Sequence, residues 1–355
     1  MTESAGTLAA PMEGGGRYNA NSALQASGAA LALPWIEDAA RLVPAPEHGR
    51  PIFIADYGCS EGRNSVEPIR RAIVQLRARL GASAPIGVIH ADLPNNDFSS
   101  LFGEVEGPSG YAGQHEATFP FAVGRSFFRQ ITPDAFVSLG WCSYAVQWLS
   151  ASPGPVRGHI APWRGDDAER AAFDEAGRRD WATFIALRTR EMRPGARLIL
   201  VVPALLEDGI HPAAPLFDVA NDSLRALVAR GALAEDEHRR MTIPVHLRTH
   251  RQMTAPFDPG EATGLRLIES RFAPLDDGSF ARFASDGDAR ALAARRAGFF
   301  RATFAPSLAA AIVPTEIDRR AQFLSALEDE MRLRLEPMTT ALEARVAALA
   351  LQRRD

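Results

Sequence analysis

Lysine is absent. All 39 basic residues of this 355-residue chain are arginine. That excludes the phosphate-binding lysine of P-loop enzymes, the Schiff-base lysine of pyridoxal enzymes and any lysine base. Only two cysteines occur, Cys59 and Cys142, far apart in sequence; neither a disulfide framework nor a zinc knuckle can be built from them. The longest apolar stretch, "LILVVPALL" (198–206), is far shorter than the roughly 20 residues of a membrane span. The opening "MTESAGTLAAP" lacks the basic and apolar regions of a secretory signal. Residues 1–11 therefore read as a short disordered tail on a cytoplasmic protein. A net charge of −4 gives no electrostatic pull toward nucleic acid or an anionic membrane.

What is present is ordinary globular material. Charged residues make up 23% and hydrophobic residues 46%, too apolar for a disordered chain. The length allows two domains, or one large domain with an insertion. "PIFIADYGCSEGRN" (51–64) reads as a buried strand running into a glycine turn. Asn64 or Ser65 then caps a helix to about Leu80, with Pro68 in its first turn. Further strands are expected at 84–94, 136–140 and 193–205, with helices at 97–103, 143–150 and 167–192. The alternation predicts an α/β fold with a mainly parallel sheet. Residues 207–255 read as helices and loops rich in Arg, His and Asp, 265–275 returns to strand pattern, and the tail from about Thr315 reads as helical. The expected division is a core of 12–205 with 262–312, and a helical cap of 206–261 with 313–355.

Three stretches carry chemistry. In "ADYGCSEG" the acid Asp56 precedes the first glycine, which suits a ligand with an amine; a pyrophosphate would want bare amides and a helix N-terminus. Asp92 closes the next strand, where a carboxylate can accept both hydroxyls of a ribose. Together they suggest S-adenosylmethionine, with ordinary strand-end caps as the plainer alternative. In "MEGGGRYNANSALQ" (12–25), Tyr18, Asn21, Ser22 and Gln25 fall on one side of a helix. In "GWCSYAVQWLS" (140–150), Tyr144, Gln147 and Trp148 share a helix face, either as core aromatics with a boundary glutamine or as a pocket wall. His246 and His250, with His238 nearby, lack a carboxylate at ligand spacing, so no metal is assigned. An NADP-dependent oxidoreductase could use Arg77 and Arg79, but Gly58 and Gly62 do not make the dinucleotide spacing.

These stretches, with "ADLPNNDFSSLF" and "VGRSFFRQITP", resemble in order the SABATH family of S-adenosylmethionine-dependent carboxyl methyltransferases. The likeness is close over the first 150 residues and looser beyond. It implies a Rossmann-like methyltransferase core with an α-helical cap. It also implies S-adenosylmethionine as cofactor, S-adenosylhomocysteine as product, and the methyl ester of a small carboxylic acid. By the same resemblance, Tyr18, Ser22, Asp56, Gly58 and Asn64 would serve the cofactor, the last four around its methionine end. Asp92 beside Leu93 would take the ribose, and Ser126 and Phe127 the adenine. Gln25 and Trp148 would clamp the substrate carboxylate, with Tyr144 and Gln147 lining its pocket. Glu61, Arg63, Asn95 and Gln147 depart from the plant pattern, so the cofactor loop is expected to be braced differently and the pocket to be more polar. A homodimer is expected. Other readings are an N-methyltransferase of a small heterocycle and a non-catalytic ligand-binding protein on the same fold.

Overall fold

The computed structural model describes residues 10–47, 50–209, 211–258, 260–261, 263–313 and 316–355. Residues 1–9 of the expected tail, and Thr315, lie outside them. The described chain opens with helices α1 (Arg17–Asn21), α2 (Ala23–Ala30) and α3 (Leu33–Leu42). It then alternates: β1 (Ile52–Tyr57), α4 (Arg63–Leu80), β2 (Ile86–Asp92), α5 (Phe98–Glu106), α6 (Tyr111–Gln114), β3 (Thr118–Gly124) and β4 (Val137–Ser143). The long α7 (Asp167–Glu191) runs directly into β5 (Met192–Pro203). After α8 (Ala214–Ala229), α9 (Glu235–Arg240) and α10 (His250–Thr254) comes β6 (Leu265–Leu275). Helices α11 (Gly278–Asp286), α12 (Ala289–Thr303), α13 (Ala305–Ala309) and α14 (Ile317–Leu335) precede the last strand, β7 (Ala344–Arg353).

The seven strands form one sheet in the order β3-β2-β1-β4-β5-β7-β6. The pairings among β1 to β5 are parallel, and β7 pairs antiparallel with both β5 and β6. Strand order reverses between β1 and β4, the crevice where open α/β sheets take ligands. One face is covered by α3 and α4. In α4, Ile69, Ala72, Ile73 and Leu76 recur at helical spacing and are all buried, each large side chain contributing about 1.5–3 kcal/mol. The other face packs on α7 through Trp181, Phe184 and Ile185. A second core joins α8, α12 and α14 around Phe217, Leu224, Phe300 and Leu327.

Four sequence expectations are corrected. The cap of α4 is Gly62 in the left-handed region (φ 89°), not Asn64 or Ser65, and Pro68 lies inside the helix rather than in its first turn. Residues 143–150 are not a helix but a turn, with Tyr144 at φ 53°. The C-terminus is not wholly helical: β7 fills the sheet between β5 and β6, so 313–355 cannot all belong to a cap. Conversely, α12 and α13, expected in the core segment, bury Ala297, Phe300 and Leu308 in the helical cluster.

Candidate active site

The turn after β1 is shaped by close approach. Gly58 has φ 86°, and a Cβ there would sit 2.3 Å from the Ala145 Cβ, where the loop after β4 presses in. Asp56, near the end of β1, stands in register with His90 on β2. Its Oδ2 lies 2.8 Å from His90 Nδ1, and His90 Nε2 lies 2.6 Å from the Tyr111 hydroxyl. At the end of β2, Asp92 accepts the N–H of Ser60 on one oxygen and of Leu93 on the other, both at 2.7 Å. Burial pushes its carboxyl up to about 6.

Above these strand ends lies a cavity of about 850 Å³ whose wall includes Tyr18, Gly58, Asp92, Leu93, Ser126 and Phe127. Six of the residues expected at the cofactor are thus brought together. The Phe127 carbonyl is fixed from below by Arg188 Nη1 at 2.8 Å. Three others are not on that wall. Asp56 is buried beneath it, bonded to His90. Ser22 and Asn64 line a separate cleft beside α1 and α2, where Asn64 Nδ2 donates to the Ser22 carbonyl at 3.3 Å.

The glycine run has a definite use. Gly15 (φ 68°) and Gly16 (φ 79°) are both left-handed, so consecutive N–H groups turn toward anions. Gly15 donates to Asp97 Oδ2 at 2.9 Å, Gly16 to Glu61 Oε1 at 2.5 Å and Asn19 to Glu61 Oε2 at 2.9 Å. Glu13, at the head of the arm, pairs with Arg301 of α12 at 2.8 Å. The arm is therefore latched to both cofactor-side loops and to the cap. Residue spacing did not reveal this; the one signal was Glu61 departing from the plant pattern. The expected continuous helix breaks at Ser22 (φ −104°, ψ 26°), which lets the arm change direction.

A second cavity, of about 110 Å³, is lined by Gln25, Tyr144, Gln147 and Trp148 together. The turn assembles the latter three, not a helix face. The Tyr144 hydroxyl packs against α2 where any Cβ on Gly28 would lie 2.1 Å away. Gln147 Nε2 donates to the Tyr144 carbonyl at 2.6 Å, leaving its Oε1 buried without a partner. Among the described residues, Gln25 Nε2 makes only a long contact, 3.5 Å, to Thr303 Oγ1, and its Oε1 is also unpartnered. Among the described residues no protein acceptor takes the Trp148 indole N–H; its ring packs 5.8 Å from Phe304. Sequence reasoning missed Thr303, Phe304, His211 and Arg345, supplied by distant elements. His211 stacks on Trp163 at 3.8 Å, and burial pulls its imidazole down to about 4, so it is neutral at physiological pH. The two cavities share Met12, Tyr18, Tyr144 and Trp148 as a common wall.

Residues singled out for other roles are engaged elsewhere. Arg77 bonds the Ala84 and Glu116 carbonyls, and Arg79 those of Arg41 and Val43, leaving no arginine cradle for a 2′-phosphate. His246 bonds Asp174 at 2.9 Å, and His250 packs against Phe272. Among the described residues, the group within reach of a common metal ion is Asp56, Cys59 and His90.

The chemistry of the larger cavity fits S-adenosylmethionine. Asp92 is half-buried and makes no ion pair among the described residues. A ligand bringing hydroxyls and positive charge satisfies it. Sheet order, switch-point crevice and paired cavities define a Rossmann-like S-adenosylmethionine-dependent methyltransferase fold. A family model described as SAM dependent carboxyl methyltransferase matches residues 9–321. The chain belongs to that family, the SABATH group its motifs resemble. Relatives include Methyltransferase FUS9 of Gibberella fujikuroi, 27% identical over 242 residues, 67% of this chain and 64% of the relative. Benzoate O-methyltransferase of Zea mays is 24% identical over 265 residues, 66% of this chain and 69% of the relative. The matches thus span about two thirds of these relatives' length. A solved structure titled "Loganic acid methyltransferase with SAH" superposes at TM-score 0.77 and 20% identity, covering 97% of this chain and 99% of that one. That likeness is one of fold. No described helix is long and apolar enough to cross a membrane.

Proposed function

We propose that this chain forms the methyl ester of a small carboxylic acid, with S-adenosylhomocysteine as the second product. The observation that carries the reading is the pair of cavities meeting at Met12, Tyr18, Tyr144 and Trp148. When bound, S-adenosylmethionine supplies an electrophilic methyl on a sulfonium. Asp92 would take its ribose hydroxyls beside Leu93, Ser126 and Phe127 would flank the adenine, and Asp56 would face its amine. Gly58 gives the backbone room to approach; Ser22 and Asn64 set the bend of the arm that carries Tyr18.

A carboxylic acid is already ionised at neutral pH, so the oxygen attacks as it stands and no proton has to be removed. The acid cavity fits that demand: its histidine is neutral and its Nδ1 accepts the Ala213 N–H. What the chain supplies is alignment, which can contribute roughly 7–11 kcal/mol. Gln25 Nε2 and the Trp148 indole N–H are donors without strong protein partners, suited to hold one carboxylate oxygen while Tyr144 and Gln147 close the wall. Neutral donors orient the nucleophile without tying up its charge as an arginine would, and the Arg345 guanidinium packs over the Phe272 ring.

The test is incubation with methyl-labelled S-adenosylmethionine and a panel of carboxylic acids, followed by product identification. An alkali-labile labelled ester is expected. An alkali-stable product from a heterocycle would replace the reading by N-methylation, and cofactor binding without turnover by a binding protein. The same reading has the chain in the cytoplasm as a homodimer. Buried, unpaired Cys59 and Cys142 support the first. Light scattering checks the second.

A further inference from the structure

His90 is a wholly buried imidazole that the proposed reaction does not use. It stands opposite Asp56 across the β1–β2 ladder, so its direction is fixed by strand register rather than by a mobile loop. Both ring nitrogens are engaged, Nδ1 with Asp56 Oδ2 at 2.8 Å and Nε2 with the Tyr111 hydroxyl at 2.6 Å. Tyr111 is itself fully buried at the start of α6. Burial drives its phenol well above the ordinary tyrosine range, so its oxygen keeps its proton, and with His90 Nε2 as its one hydrogen-bond partner among the described residues it donates there. With Nε2 accepting from Tyr111, the imidazole has one N–H left, on Nδ1, and that proton points at the carboxylate.

We propose that His90, oriented by Tyr111, is a positioning residue for ligand binding: it holds Asp56 Oδ2 as a neutral donor and so leaves the carboxylate's charge and its other oxygen for the ammonium group of the ligand's amino-acid tail. The inference rests on the methyltransferase reading. A neutral donor is the point of the arrangement. An arginine or imidazolium in the same place would already balance Asp56, and an incoming ammonium would gain little. Among the described residues, Asp56 Oδ1 accepts from no protein donor, which leaves it for the ligand. The relay fixes Asp56 beneath a cavity wall otherwise made of turns.

The competing use of the same atoms is a metal centre, since Asp56, Cys59 and His90 can reach a common point. Burial pushes the Cys59 thiol well up, so it stays protonated, and a metal at His90 Nδ1 would have to break its contact with Asp56 Oδ2.

The experiment compares two ligands by calorimetry: S-adenosylhomocysteine, which carries the amino-acid tail, and 5′-deoxy-5′-methylthioadenosine, which lacks it. His90→Leu should weaken the first about 10- to 100-fold, the range for losing a hydrogen bond to a charged group, and leave the second unchanged. His90→Asn, whose amide nitrogen can stand where Nδ1 stood, should keep the ratio of the two affinities near that of the parent protein. If His90→Leu does not fold, His90→Gln, with its nitrogen at the Nε2 position, takes its place and should lose the ratio. Parallel loss of both ligands, an unchanged ratio in every variant, or equal loss in His90→Asn overturns the inference. So does stoichiometric, His90-dependent zinc binding by the purified protein. Failure of the parent protein to bind either ligand would instead overturn the methyltransferase reading.

Discussion

Among the described residues, Asp92 rests on two backbone N–H groups alone, and desolvation holds its carboxyl up to about 6. Its ionised form is the better acceptor for two ribose hydroxyls. Cofactor affinity should therefore rise as pH increases through about 6 and level off near 7, with protons released on binding at the lower pH. Calorimetry in buffers of different ionisation enthalpy measures both; a flat affinity from pH 5 to 7.5 would remove Asp92 from the ribose. The linkage to stability runs the other way. The folded carboxyl lies above the unfolded value near 3.9, so its contribution is full below about pH 4 and is lost as pH rises through about 6. Bound cofactor should offset that loss. On the acid side, Gln25→Ala and Trp148→Phe each remove one of the donors proposed for the carboxylate. We expect kcat/KM to fall about 10- to 100-fold in each, with cofactor affinity unchanged in Gln25→Ala, whose side chain lies off the larger cavity, as steady-state kinetics beside a cofactor titration would read.

At the scale of elements, the glycine turn before α1 is held by carboxylates, while Met12 ahead of it packs on the helical cluster. Glu61 accepts from Gly16 and Asn19, and Asp97 from Gly15. Removing the Glu61 carboxylate leaves two N–H groups of a glycine-rich segment without an acceptor. Glu61→Ala should speed trypsin cleavage at the exposed Arg17 severalfold and weaken S-adenosylhomocysteine about tenfold, a loss of about 1.4 kcal/mol. Unchanged cleavage would mean the arm is held by the cap alone, through Glu13 and Arg301. The turn at 144–148 shows why a short polar-aromatic spacing misleads. Residues at i, i+3 and i+4 mark a helix only when the backbone is helical, and Tyr144 at φ 53° is held out of it by packing against Gly28. Strand β3, "TFPFAVG", escaped the sequence reading because Pro120 argues against a strand. At the sheet edge, paired only to β2, the missing N–H costs no second ladder.

Across the whole molecule, the cofactor side hangs on a buried charge pair that also ties α7 to the sheet. Arg188 and Glu191 are 2.9 Å apart and fully buried. Glu191 also accepts from Tyr57 and Ile131, and Arg188 reaches the Phe127 carbonyl. Glu191→Ala would leave a buried guanidinium unpaired, at a cost of roughly 3–5 kcal/mol in urea denaturation. The double substitution Arg188→Met with Glu191→Leu should recover much of that stability while leaving the Phe127 loop loose; a double variant as unstable as the single one would contradict this.

Local chemistry made much of this protein legible in its residues. β1, β2 and β5 are near-continuous apolar runs, as strands buried on both faces must be. The acids at positions 56 and 92, with the glycines between and around them, marked the switch-point crevice. What the residues could not decide was partnership over distance. "ARVAALALQR" (344–353) is rich in alanine and leucine, strong helix formers, and is a strand because β5 and β6 offer it ladders on both sides. Thr303, Phe304, His211 and Arg345 line the smaller cavity from segments with no shared motif, and His90 meets Asp56 only through strand register. Periodicity encodes which face of an element is apolar; which other element covers it depends on chain entropy and packing summed over the whole fold, and that only the tertiary structure settles.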